Sequence, residues 1–143
     1  MNDLATQLVQ HFEGCRLTAY QDTRGFWTIG WGHLLKENQD WTGYTISQAE
    51  ADQLRSEDLE YARMEATGFP NYLQMNDVRR AVLVSMCFQL GSKPLFWPNF
   101  MASLEVQDWA GAAANGLDSD WARQTPSRAI CEMNMLETGV WAL

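Results

Sequence analysis

Two carboxylates near the start of the chain sit in settings different enough to divide acid–base work between them. Glu13 closes a stretch with helical spacing, preceded by Phe12 and followed by Gly14 and Cys15, with no acidic residue nearby in sequence. Asp22 lies nine residues on, inside the polar run Gln21-Asp22-Thr23-Arg24-Gly25. A carboxyl group in partly apolar surroundings keeps its proton towards neutrality and can donate it, whereas one in a polar turn stays ionised. Cleavage of a glycosidic bond asks for that combination: one group protonates the leaving oxygen, and the other activates water or attacks the anomeric carbon. Thr28, beyond the same turn, adds a hydroxyl able to hold a water. Each residue also has a plainer reading, Asp22 as a turn former and Glu13 as a surface residue at a helix end. The spacing does establish that the two carboxylates come from different elements and can face each other across a gap.

Those elements follow from periodicity. Leu4, Leu8 and Phe12 recur every four residues, predicting a short helix over 3–12 that Gly14 ends. Arg16 to Tyr20 and Phe26 to Gly30 read as two strands around the turn, the one convincing β-hairpin of the chain. Ser47 with Glu50 is a capping box, opening a helix to about Thr67, with Gly68-Phe69-Pro70 as its stop. Val78 to Leu90 is the most apolar helix and the expected centre of the core, with Gly91 closing it. Shorter helices are expected around 98–106, 108–114 and 119–123, and a last one from Pro126 or Ser127. The result is an α+β, mostly α, single domain over 1–143. It has a small β-hairpin lobe at about 15–50, a connecting helix at about 47–67, and a helical lobe at about 70–143 joined by the N-terminal helix. A cleft between two such lobes is a favoured place for a binding site.

Composition narrows the partners. A net charge of −8 disfavours nucleic acid. Nine carboxylates between Glu37 and Asp77 stand against only Arg55 and Arg63, which reads as a solvated helix face. No apolar run reaches the roughly 20 residues that cross a bilayer, and Met1-Asn2-Asp3-Leu4 lacks the basic and apolar segments of a secretory signal. Cys15, Cys87 and Cys131 share no metal-ligand spacing and read as reduced, buried thiols, so neither a metal nor a cofactor is expected. Seven Trp are many for this length; most are expected in the core, with one or two left for a sugar-binding cleft.

The run from His11 to His33, HFEGCRLTAYQDTRGFWTIGWGH, resembles the active-site signature of phage-type lysozymes, glycoside hydrolase family 24, with its pattern E-G-x-R-L-x-x-Y-x-D-T-x-G-x-x-T-I-G-x-G-H. The similarity continues, towards the T-even members, in Asp77-Val78-Arg79-Arg80-Ala81 with Phe88-Gln89-Leu90-Gly91, in Gln124-Thr125-Pro126-Ser127-Arg128-Ala129, and in Gly139-Val140-Trp141. It is patchier between Leu35 and Asn76. The resemblance implies a lysozyme-like two-lobe fold and a muramidase cutting the β-1,4 bond between N-acetylmuramic acid and N-acetylglucosamine. It implies Glu13 as the catalytic acid, Asp22 as the second carboxylate and Thr28 beside an attacking water, with inversion and roughly 6.5–9.5 Å between the carboxyl groups. Arg128 matches a basic residue that approaches the acid, orienting it while limiting how tightly it can hold its proton. Leu34, Phe88 and Asn115 match sugar-contacting positions. Phe100 falls on a fourth, where T-even members have a small hydroxyl residue, so its ring is expected to narrow the cleft or stack on a sugar. His33 and Asp58 match a structural salt bridge.

The resemblance further implies bacterial peptidoglycan as the partner, a monomer, and synthesis in the host cytoplasm with release to the wall as an endolysin. The alternatives are a virion-associated wall-penetrating lysozyme, a retaining or transglycosylating enzyme, and a non-catalytic glycan-binding module. Loss of Glu13, Asp22 or Thr28 would mark the last, and all three are present. The chain departs from the T-even members in two respects. It is shorter, chiefly between His33 and Ser47, so the small lobe is expected to be trimmed. It is also acidic where they are basic, and Arg16, Arg24, Lys36, Arg123 and Arg128 are expected to line the cleft and offset that charge locally.

Overall fold

The computed structural model describes residues 3–143. Asp3 caps the first helix, α1 (Leu4–Glu13), by accepting the Thr6 N–H at 2.9 Å. Leu8 and Val9 are sealed on its inner face. Gly14 ends it at φ 65°, a left-handed conformation that a side chain would strain, and this turns the chain into the sheet.

The sheet has the order β1-β2-β3, all antiparallel: β1 (Arg16–Gln21), β2 (Trp27–Gly30) and β3 (His33–Leu34). Tyr20 pairs with Thr28, and Gln21 with Trp27, around the turn. The register breaks between Arg16 and Tyr20. There the chain at 44–46 covers the outer edge of β1, Ala19 donating to Tyr44 at 2.8 Å and Ile46 to Leu17 at 2.9 Å. β3 is a third strand beyond the expected hairpin. Two residues between Gly32 and a turn carry too little alternation to be seen as a strand in sequence.

The capping box forms as expected: Ser47 Oγ accepts from Glu50 N at 3.1 Å, and Glu50 Oε2 accepts from Ser47 N at 2.8 Å. It opens α2 (Gln48–Ala66), which buries Ala51, Leu59, Ala62 and Ala66 and turns its acidic side outward. Two contacts fasten the sheet to α2. Trp31 Nε1 donates to Asp52 at 2.9 Å, and His33 Nδ1 meets Asp58 at 2.7 Å.

Asn76 caps α3 (Asp77–Leu90), whose run from Ala81 to Cys87 is wholly buried. This helix packs against α1, α2 and the last helix, so it is the axis of the core. Around it lie α4 (Pro98–Glu105), α5 (Trp109–Leu117), α6 (Asp120–Gln124) and α7 (Pro126–Thr138). Arg79 ties the start of α3 to the end of α7, donating to the carbonyls of Leu136 and Glu137. Trp121 is buried, and Trp97, Trp109 and Trp141 pack on the core; none of the seven is fully exposed. The expectation of three buried thiols needs correction: Cys87 is buried, while Cys15 and Cys131 are only half-buried. Cys15 follows the helix-ending glycine at a surface turn, where there is no core to enclose it.

Candidate active site

Glu13 stands at the last turn of α1, where helix geometry and the Gly14 reversal aim its side chain between α7 and the sheet. Its Oε1 accepts a 2.6 Å hydrogen bond from Arg128 Nη1. Its Oε2 lies against Gly32, whose φ is 83° and where an added Cβ would fall 2.5 Å from that oxygen. Gly32 is therefore glycine twice over, for its backbone angle and for the carboxylate beside it. The Glu13 side chain keeps 19% of its exposure, so it is set in a wall yet open to a ligand.

Arg128 is the reverse, a guanidinium that is all but sealed at 5% exposure. Besides Glu13 it donates from Nη2 to Ser85 Oγ at 2.9 Å and from Nε to Glu132 Oε1 at 3.3 Å. It also lies over the Phe12 ring at 5.4 Å. Burial works against its charge, and the Glu132 and Glu13 carboxylates outweigh that and hold it protonated.

Asp22 is held by its own turn. Oδ1 accepts from the backbone N–H groups of Arg24 and Phe26, both at 2.9 Å, and Arg24 Nη2 approaches Oδ2 at 3.5 Å. Partial burial pushes its carboxyl up, but those two N–H donors and the Arg24 guanidinium prevail and hold it below the usual carboxylate range. Thr28 is buried in β2 and donates its hydroxyl proton to the Phe26 carbonyl at 3.0 Å, which leaves its oxygen as an acceptor. Tyr20 lies across the ladder from Thr28. Burial is the main reason its hydroxyl holds its proton tightly, the nearby Arg16 opposes this, and Glu13 and Asp22 both add to it. Glu13 is thus set in a wall and Asp22 in a turn, while Thr28 offers a buried hydroxyl oxygen as an acceptor.

The phage lysozyme family model matches residues 10–130, a span that includes Glu13, Asp22, Thr28, Ser85 and Arg128. The chain belongs to the phage lysozyme family. It is 28% identical over 157 aligned positions to the probable T4-type lysozyme 1 of Dictyostelium discoideum, covering 92% of each chain. It is 31% identical to the endolysin of Salmonella phage P22 over 71% of this chain and 70% of that one. The pre-baseplate central spike protein Gp5 of Enterobacteria phage T4 is 29% identical over 93% of this chain but only 27% of its own length. Membership makes the protein a glycoside hydrolase, a lysozyme acting on peptidoglycan.

The other positions singled out in this lysozyme divide. His33 and Asp58 meet across β3 and α2, and the Asp58 hydrogen bond, opposed by burial, pushes the imidazole up from its ordinary value. Leu34 pairs with Thr28 across the sheet and leaves 55% of its surface exposed. Phe88 is half-buried at the end of α3. Asn115 spends its amide nitrogen on α4, donating to the Asn99 carbonyl and Ser103 Oγ, both at 3.2 Å.

Phe100 is a correction. At 1% exposure it lies edge-on to Phe69 and Trp97 inside the core, so it can neither narrow a cleft nor stack on a sugar. A ring of that volume on the inner face of α4 gains more from burial than from water.

The basic lining needs correction too. Arg128 is buried between two carboxylates, Arg24 is tied to Asp22, and Arg123 pairs with Asp118 and Asp120. Arg16 lies over the Tyr20 ring at 4.3 Å. These four cations answer the chain's own acids and aromatic faces, and the exposed Lys36 is no strip by itself. Sequence reasoning missed Gly32, Ser85 and Glu132. The available signals were the second glycine of the G-x-G-H ending of the signature, a lone serine in an apolar helix and a glutamate four residues after Arg128.

Proposed function

We propose that this lysozyme cleaves the β-1,4 bond between N-acetylmuramic acid and N-acetylglucosamine with inversion, Glu13 protonating the leaving oxygen. Asp22, kept ionised by its turn, draws a proton from a water that Thr28 positions by donation to its free lone pairs. That water attacks the anomeric carbon from the face opposite Glu13. The observation that carries the reading is the asymmetry of Glu13: Oε1 is anchored by Arg128, and Oε2 is left beside Gly32, where a side chain would collide with it. Leu34, Phe88 and Asn115 serve as sugar contacts, and His33 with Asp58 braces the sheet. The catalytic unit is the single domain, acting as a monomer without cofactor or nucleic acid. Its use is as an endolysin made in the host cytoplasm and released to the wall. Among the described residues no helix is long and apolar enough to cross a membrane.

The match to a spike protein favours a second use for the same chemistry, a lysozyme carried by the virion to open the wall locally. The chemistry is tested by following reducing-end release from purified peptidoglycan with the native chain and with Glu13→Gln. The amide keeps the shape and loses the proton, so the rate should fall at least roughly 1000-fold with folding unchanged. Equal rates would remove Glu13 from the reaction. The anomer formed first reports inversion directly.

A further inference from the structure

Arg128 reaches Glu13 with one of its three guanidinium nitrogens. The other two turn inward, Nη2 to Ser85 on α3 and Nε to Glu132 one turn along α7. Glu132 has no exposed surface; its Oε1 also accepts the Ser85 hydroxyl, and its Oε2 meets no hydrogen-bond partner among the described residues. A sealed carboxylate is unfavourable to keep, and packing does not ask for one here. Ala129 and Met133, its neighbours on the buried side of the same helix, are as fully enclosed and apolar.

We propose that Glu132 is a positioning residue for Glu13. It holds Nε of Arg128 so that Nη1 meets Glu13, and its negative charge offsets the guanidinium's pull on the ionised form of the acid. The proposal rests on the reading of Glu13 as that acid. Two carboxylates share one cation, so when Glu132 is ionised Glu13 faces a guanidinium whose charge is already largely answered.

Few other charges bear on the pair. Burial, with Glu13 adding to it, holds the Glu132 carboxyl above its ordinary value, while Arg128 and the Ser85 hydroxyl pull towards the ionised form. Cys131, beside it on α7, is pushed up chiefly by burial and stays a thiol. The neighbouring α5 carries no charged residue, and on α6 Asp120 and Arg123 pair with each other at the surface. At the start of α3, Arg80 pairs with Asp77 and Arg79 is bound to the end of α7.

The test is the pH profile of reducing-end release for the native enzyme, Glu132→Gln, Ser85→Ala and Glu13→Gln. Glu132→Gln keeps the shape and removes the charge, so the alkaline limb should move about one unit to lower pH. At the native half-maximum of that limb the rate would fall roughly fivefold, with the acid-side rate and near-ultraviolet circular dichroism preserved. A merely structural role would lower the rate by one factor at every pH, and that result overturns the proposal. Ser85→Ala removes a donor to ionised Glu132, so it should shift the limb in the same direction by less. If Glu132→Gln does not fold, Ser85→Ala decides, an unmoved limb overturning the idea. An unmoved limb in folded Glu132→Gln, with Glu13→Gln inactive, overturns the role of Glu132 and leaves the Glu13 reading standing. A fully active Glu13→Gln overturns both.

Discussion

The hairpin and the α3–α7 core each deliver charged side chains to one site, by opposite means. In the hairpin the contacts are local: Asp22 is held by N–H groups two and four residues away, in a turn that water reaches. In the core they are distant: Arg128 meets Glu13 across 115 positions and Ser85 across 43. A turn carboxylate tolerates the loss of one partner because solvent replaces it. The buried Glu132 carboxyl, Arg128 guanidinium and Ser85 hydroxyl are tolerable only together, since any of them left alone has no water to turn to.

The contrast is most exposed at Arg128. Arg128→Met leaves Glu132 sealed and unpaired, and stability by urea unfolding at neutral pH should drop by about 3–5 kcal/mol. A loss under about 1 kcal/mol would mean that Glu132 is neutral in the native fold and that the core set is no ion network. Gly32→Ala probes where the two regions touch. The positive φ makes alanine cost about 1–2 kcal/mol, while its Cβ collides with Glu13 Oε2. Activity should therefore fall roughly 10–100-fold, out of proportion to the few degrees lost in Tm. Retained activity would show that Oε2 can move without penalty.

The smallest effect belongs to His33. Its pKa is raised in the fold by Asp58, so the pair stabilises fully below the unfolded value of 6.5, and that contribution fades as pH rises through the folded value. His33→Gln should accordingly cost about 0.5–1 kcal/mol in mildly acid solution and nothing in alkaline solution. A cost that grows with pH would refute a protonated histidine in this bridge.

What could be read early follows the same division. Caps, the Ser47–Glu50 box, the Asp22 turn and the apolar run of α3 are short-range patterns. Each forms in the structure within a residue or two of its expected place. β3 escaped notice because a two-residue strand exists only by pairing with Thr28 and Ile29. Phe100 misled because a matched position says nothing of which way α4 faces once Phe69 and Trp97 are packed beside it. The arginines misled because their partners are three-dimensional neighbours that no count of charges reveals.

By itself the sequence determined the helices, the hairpin, the family and the two carboxylates with their opposite surroundings, because backbone propensity, capping and turn chemistry act over a few residues. Only the tertiary structure decided that Arg128 is buried between Glu13 and Glu132, that Gly32 stands against the acid, and that Phe100 belongs to the core. Burial and ion pairing across a hundred residues depend on how whole elements pack, and that packing is a property of the closed chain.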